Sequence, residues 1–191
     1  MGPIFLVGYM GCGKSTLGRK LARRLGVPFF DTDSVVEERE GASVCDIFRY
    51  EGETRFRELE RAAIETIIAE GGVCVVSTGG GLPLWGDNME RMNGAGHTVY
   101  LRRTAEQIAG RLTPYGRRKR PKLSGLNDVE LVEYMRSDMP RRELFYAKAH
   151  STVECGAMSD EELVARLSNE FGDGRRSVSY THLTLPTKLE V

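Results

Sequence analysis

No charge of either sign is in excess: 27 basic residues balance 27 acidic ones over 191 positions. Nothing of that kind draws the chain to nucleic acid or to a membrane surface. Long apolar runs are also missing. A bilayer span needs about 20 such residues, and no stretch here approaches that length, so no membrane partner is expected. The N-terminus passes straight into its first apolar run, so no signal peptide is expected. Cysteine is sparse. Cys12, Cys45, Cys74 and Cys155 form no CxxC pair and no metal-ligand spacing. That pattern fits a reduced, cytoplasmic setting. No internal repeat is present. The length suits one domain with a sizeable core, and a monomer is expected.

Against these absences stands Gly8-Tyr9-Met10-Gly11-Cys12-Gly13-Lys14-Ser15-Thr16. It has the form G-x-x-x-x-G-K-[ST], a phosphate-binding loop. The glycines let the backbone turn tightly and aim successive N–H groups at an anion. Lys14 supplies a point charge for the outer phosphates, and Ser15 offers a hydroxyl to magnesium. The context agrees. Ile4-Phe5-Leu6-Val7 suits a buried strand, while Leu17, Leu21 and Leu25 recur as one helical face until Gly26. The competing reading is a chance match in an ordinary strand-to-helix turn. Cys12, inside the loop, is either a small filler or a thiol made reactive by the helix N-terminus.

The rest of the chain alternates strands with helices. Strands are expected at 27–31, 73–78, 98–102 and 151–154. Helices are expected at 34–40, after an N-cap at Ser43, at 54–69, near 87–92, from a cap at Thr104 to Leu112, at 128–149 with a break at Pro140, and after the capping box that begins at Ser159. The result is an α/β domain with a mostly parallel sheet. Residues after Gly172 show no helical period and no partner in this pattern. They are expected to be a non-native or disordered tail. The rival idea is an added edge strand, since Leu183 and Leu185 alternate with Thr.

Three further features bear on the acceptor. Asp31-Thr32-Asp33 ends the second strand, where ligands bind in an open parallel sheet. On an extended chain the two carboxylates point to opposite sides. One can serve magnesium, the other an attacking hydroxyl; an Asp-x-Asp helix cap is an equal alternative. Arg57 opens a helix and suits a carboxylate, or else a surface salt bridge to Glu60 or Glu53. Gly79-Gly80-Gly81 lets bare backbone approach a small polar ligand, or is a flexible turn. Last, Gly116-Arg117-Arg118-Lys119-Arg120-Pro121 is a basic loop. Overall neutrality argues against nucleic acid, and a phosphoryl-transfer enzyme needs arginines that close over the phosphates.

Together these pieces resemble shikimate kinase. The resemblance rests on Gly8-x-Met10-Gly11-x-Gly13-Lys14-Ser15-Thr16 with Gly18, Phe30-Asp31-Thr32-Asp33, Gly52-Glu53 with Phe56-Arg57-x-x-Glu60, Gly79-Gly80-Gly81, Arg120-Pro121, and Arg142 with Tyr146. It implies a three-layer P-loop kinase fold: a five-stranded parallel sheet flanked by helices, in one domain over residues 1–172. Acceptor-binding helices would lie at about 33–60 and a mobile lid at about 112–124. The implied reaction moves the ATP γ-phosphoryl group to the 3-hydroxyl of shikimate, on the route to chorismate and the aromatic amino acids.

By the same resemblance, Gly11, Cys12, Gly13, Lys14, Ser15 and Thr16 hold the nucleotide. Ser15 and Asp31 serve Mg2+, Asp31 through water. Asp33 holds the shikimate hydroxyls and is the base. Arg57 and Arg142 clamp the carboxylate, and Gly79, Gly80 and Gly81 close the pocket. Arg120 reaches the phosphates, with Lys14 as the second catalytic cation, and Arg111 stacks on adenine. Two departures stand out. Lys122 replaces a leucine after Arg120-Pro121. Spacing to Tyr146 selects Arg142, whereas spacing to Phe145 would select Arg141. Another small-molecule kinase of this fold, such as a gluconate kinase, is one alternative. A ligand-binding regulator without catalysis is the other.

Overall fold

The structure is a computed structural model describing residues 2–113, 116, 117, 123 and 125–172. The expected lid arginine Arg120 and the tail after Gly172 therefore lie outside the described residues, as does most of the basic loop.

Five strands form one sheet: β1 (Ile4–Val7), β2 (Phe29–Asp31), β3 (Val75–Ser77), β4 (His97–Arg102) and β5 (Ser151–Glu154). Their order is β2-β3-β1-β4-β5, and every pairing is parallel. β1 lies at the centre, with Ile4 paired to Val75 on one side and His97 on the other. All four β1 residues are fully buried. A strand covered on both faces has no use for alternation, which is why its sequence is a continuous apolar run. Each of these side chains contributes roughly 1.5–3 kcal/mol on burial.

The helices are α1 (Lys14–Leu25), α2 (Thr32–Glu40), α3 (Val44–Tyr50), α4 (Gly52–Glu70), α5 (Asn88–Ala95), α6 (Ala105–Arg111), α7 (Asp128–Tyr146) and α8 (Asp160–Gly172). The local signals worked as chemistry. Ser43 accepts the Asp46 N–H at the start of α3, Thr104 and Gln107 make a capping box on α6, and Gly26 ends α1.

Most buried apolar residues form one core around the sheet. A second, smaller core of Val36, Ile47, Phe56 and Ala63 holds α2, α3 and α4 together. This satellite core gives α2, α3 and α4 their own footing beside the sheet.

Several bounds differ from expectation by a few residues, and three differences are informative. α2 begins at Thr32 rather than Ser34, because the Asp31 side chain accepts the Asp33 N–H and caps the helix. α4 begins at Gly52, and α7 runs through Pro140 without a break. Proline removes one backbone hydrogen bond. Buried anchors on both sides of it, Leu131 and Met135 before, Arg142 and Tyr146 after, keep the two halves in register.

Candidate active site

The carboxyl ends of β1, β2 and β3 meet around a cavity of about 320 Å³. β1 delivers the phosphate loop, β2 delivers Asp31 and Asp33, and β3 delivers Gly79 and Gly80. The cavity is lined on one side by Gly11, Gly13, Lys14, Ser15 and Thr16, and on the other by Asp31, Asp33, Gly79 and Gly80. Cys12 is in the loop but turns away from the cavity into the core.

The loop is strung tightly. Gly8 has φ 143 and Gly13 φ 102, backbone that other residues adopt only with strain. Lys14 is almost wholly buried. Its Nζ donates to Gly8 O at 2.8 Å and Tyr9 O at 2.9 Å, and lies 3.8 Å from Cys12 Sγ. The lysine thus satisfies two carbonyls of its own loop. Behind the loop, Arg103 is buried and donates to Cys12 O at 3.0 Å and Cys155 O at 2.9 Å. Cys12 is buried against this frame, as the filler reading expects. Arg111 lies over Gly13 and pairs with Asp160 at 3.1 Å.

Ser15 and Asp31 come together. Ser15 Oγ donates to Asp31 Oδ2 at 2.5 Å and lies 3.2 Å from Ser77 Oγ. These are hard oxygen donors at the helix N-terminus. Asp31 therefore caps α2, as the helix-cap alternative expects, and also faces Ser15. Because α2 starts at Thr32, Asp33 diverges from Asp31 by helical rotation rather than by strand alternation.

Asp33 is half-buried in the wall of the cavity. Burial, then the Asp31 carboxylate, pushes its carboxyl up to about 6, although Lys14 and Arg57 pull the other way. Its Oδ1 has no hydrogen-bond partner. Glu60, fully buried on α4, is also pushed up by burial, to about 8, and its Oε1 is likewise unpartnered. Both oxygens face Gly79. A Cβ there would lie 2.8 Å from Asp33 Oδ1 and would overlap Glu60 Oε1 outright. Glycine at this position leaves room for two carboxylates under the β3 loop.

Arg57 and Arg142 both reach the glycine loop. Arg57 pairs with Glu60, and with Glu53 at 3.0 Å, and abuts Gly81. Both predicted ion pairs exist, but Glu60 is fully buried and Arg57 part-buried rather than on the surface. Arg142 is also buried. It donates from Nη1 to Gly80 O at 3.3 Å and from Nε to Asp138 Oδ2 at 2.5 Å, while Tyr146 OH donates to Gly80 O at 2.5 Å. Arg141 is 71% exposed and pairs with the other Asp138 oxygen. Sequence reasoning left Arg141 and Arg142 open; the helix turns Arg142 inward. It passed over Glu60 as more than an exposed partner, and over Asp138 and Arg103 altogether. The spacing of Asp138 to Arg141 and Arg142, three and four residues on one helix, was the available signal.

The phosphate-loop motif and Asp33 line one cavity, while Arg57 and Arg142 reach the glycine loop beside it without lining it. The fold and site define a P-loop kinase of a small molecule. The shikimate kinase family model matches residues 10–171. A shikimate kinase from Parabacteroides distasonis is 41% identical over 88% of this chain and 96% of its own length. The crystal structure of the shikimate kinase from Bacteroides thetaiotaomicron superposes with a TM-score of 0.79 at 39% identity, covering 89% of this chain and 98% of that one. A shikimate kinase from Acinetobacter baumannii, solved in complex with shikimate, gives a TM-score of 0.78 at 30% identity over 93% and 96% of the two chains. The chain belongs to the shikimate kinase family and is an ATP-dependent kinase.

Proposed function

We propose that the protein transfers the γ-phosphoryl group of ATP to the 3-hydroxyl of shikimate, giving 3-phosphoshikimate and ADP on the route to chorismate and the aromatic amino acids. The observation that carries this reading is one cavity lined by both the phosphate loop and Asp33.

Phosphoryl transfer asks little covalent chemistry of a protein and much positioning and charge. Gly11, Cys12, Gly13 and Thr16 offer loop backbone to the nucleotide phosphates. Lys14 exchanges its two loop carbonyls for phosphate oxygens. Asp33 accepts a hydrogen bond from the attacking hydroxyl and then its proton. A carboxyl near 6 is ionised at neutral pH, yet basic enough for that task. Arg57 and Arg142 receive the shikimate carboxylate. Each guanidinium has five N–H donors, so the existing ion pairs leave capacity. Gly79, Gly80 and Gly81 let the ligand approach the backbone. Arg111, over Gly13, stacks on the adenine, and Arg120 closes over the phosphates.

Ser15 and Asp31 fit a magnesium ion. They supply hard oxygens beside the phosphate loop. That suits an ion retained largely by water and nucleotide. When bound, Mg2+ neutralises charge on the phosphates.

The working unit in this reading is a single domain over residues 1–172, a monomer in the cytoplasm, with acceptor helices at about 33–60, a lid at about 112–124 and residues 173–191 a non-native or disordered tail. It has no nucleic-acid or membrane partner. No helix among the described residues is long and apolar enough to cross a membrane, and the balanced charge supports the same view. A coupled ADP-release assay tests the function: shikimate-dependent turnover is expected, and its absence would sink the assignment. Gluconate run beside shikimate would expose a different acceptor, and binding without turnover would point to a regulator.

A further inference from the structure

We propose that Asp138 is a positioning residue that holds Arg142 for the acceptor's carboxylate and, through Tyr9, ties that arginine to the phosphate loop. The proposal rests on the shikimate reading of the site. Asp138 stands on α7, and its side chain is only 9% exposed. Its Oδ2 accepts from Arg142 Nε at 2.5 Å and from the Tyr9 hydroxyl at 2.9 Å. Its Oδ1 accepts from Arg141 at 2.7 Å, so Arg141 braces it from the solvent side. The Arg142 guanidinium lies over the Tyr9 ring, 5.3 Å from its centroid, a cation–π contact in a desolvated place.

Tyr9 is a variable position of the phosphate loop. Its backbone carbonyl accepts from Lys14, while its hydroxyl reaches a carboxylate 129 residues away. One residue therefore touches the donor-side lysine with its backbone and the acceptor-side arginine with its ring. From Arg142 the path continues to Gly80 O, and a Cβ at Gly80 would meet Met10 N at 3.1 Å. When phosphate draws Lys14 off Tyr9 O, the loop carbonyl it leaves can shift, and Tyr9 carries that shift to Asp138 and Arg142. A nucleotide at one end and a carboxylate at the other thus act on a shared set of contacts. By linkage each changes the other's affinity by the same factor.

The test measures shikimate KM and kcat, and shikimate Kd with and without ADP, for wild type, Arg142→Ala, Asp138→Asn and Tyr9→Phe. Asp138→Asn keeps the shape and removes the charge. It is expected to raise shikimate KM roughly tenfold, the loss of a charged hydrogen bond, with ATP KM moved less than about twofold, and Asp138→Glu is expected to recover part of it. Tyr9→Phe is expected to bring the ratio of the two Kd values from its wild-type figure toward one. Should Asp138→Asn fail to fold, the Tyr9→Phe ratio still decides. A near-normal shikimate KM in Asp138→Asn, beside a raised one in Arg142→Ala, overturns the proposal and leaves the function standing. An unchanged Kd ratio in Tyr9→Phe, or a wild-type ratio of one, overturns it too. Absent shikimate turnover in wild type overturns the reading beneath it.

Discussion

Replacing Asp33 by Asn is expected to make the ligand-free enzyme more stable and nearly inactive, with a stability gain that depends on pH. Burial and the Asp31 charge lift the Asp33 carboxyl from an ordinary 3.8 to about 6. That difference, 6 − 3.8, corresponds to on the order of 3 kcal/mol. The sign follows from linkage. A carboxyl with a raised folded-state value contributes stability that is fully present below about pH 4 and is lost as pH rises through about 6. Asparagine loses nothing over that window. The two proteins should therefore converge at about pH 4 and separate by up to ~3 kcal/mol at pH 8, or roughly 6–12 °C in melting temperature for a chain of this size. Urea titrations of both proteins at about pH 4, 6 and 8 read the difference, and titrations common to both cancel. In the ADP-release assay kcat should fall by about 10²–10⁴, far more than the ATP KM rises. A stability gap that stays constant across the three pH values would refute the burial argument. Near-normal turnover would remove Asp33 from the chemistry.

Wild-type kcat should climb with pH through about 6, since the ionised carboxylate is the acting form; at pH 5 only about one Asp33 in eleven is ionised, so a flat profile from pH 5 to 8 would argue against a base at this position. Arg57→Lys and Arg142→Lys each keep the charge but lose the planar fork, and each should raise shikimate KM by about 10–100-fold with little change in ATP KM, as initial-rate kinetics will read. Gly79→Ala places a methyl against Asp33 and Glu60 and should cost about 1–3 kcal/mol in the urea midpoint; an unchanged midpoint would mean the β3 loop is looser than its contacts imply. Truncation after Gly172 should leave the melting temperature unmoved, and a large loss would make the tail part of the fold.

The fold was legible to the extent that it is local. Ile4–Val7 reads as a buried strand because every position is apolar, and α1 reads as a helix because Leu17 and Leu21 return on one face. Caps at Ser43, Thr104 and Ser159 are short-range hydrogen bonds with fixed spacing. Pro140 is the instructive failure. Proline's local cost says break, and long-range anchoring of α7 at Leu131, Met135, Arg142 and Tyr146 outweighs it. Tyr9 is an unspecified position of the motif, so the sequence assigns it no role, because only its neighbours carry a required chemistry.

In the sequence alone, the spacing from Gly8 to Thr16 determined a phosphate site at a helix N-terminus, and the motif set through Tyr146 determined the family. Those are matters of residue type at short range, written directly in the chain. The tertiary structure decided what depends on distance between remote segments and on exclusion of water. It brought Asp33 and Glu60 under Gly79, where burial raises both carboxyls, turned Arg142 inward and Arg141 outward on one helix, and joined Tyr9 to Asp138. Desolvation and long-range contact have no spacing rule, so the order of the β-strands and the packing of α4 and α7 had to supply them.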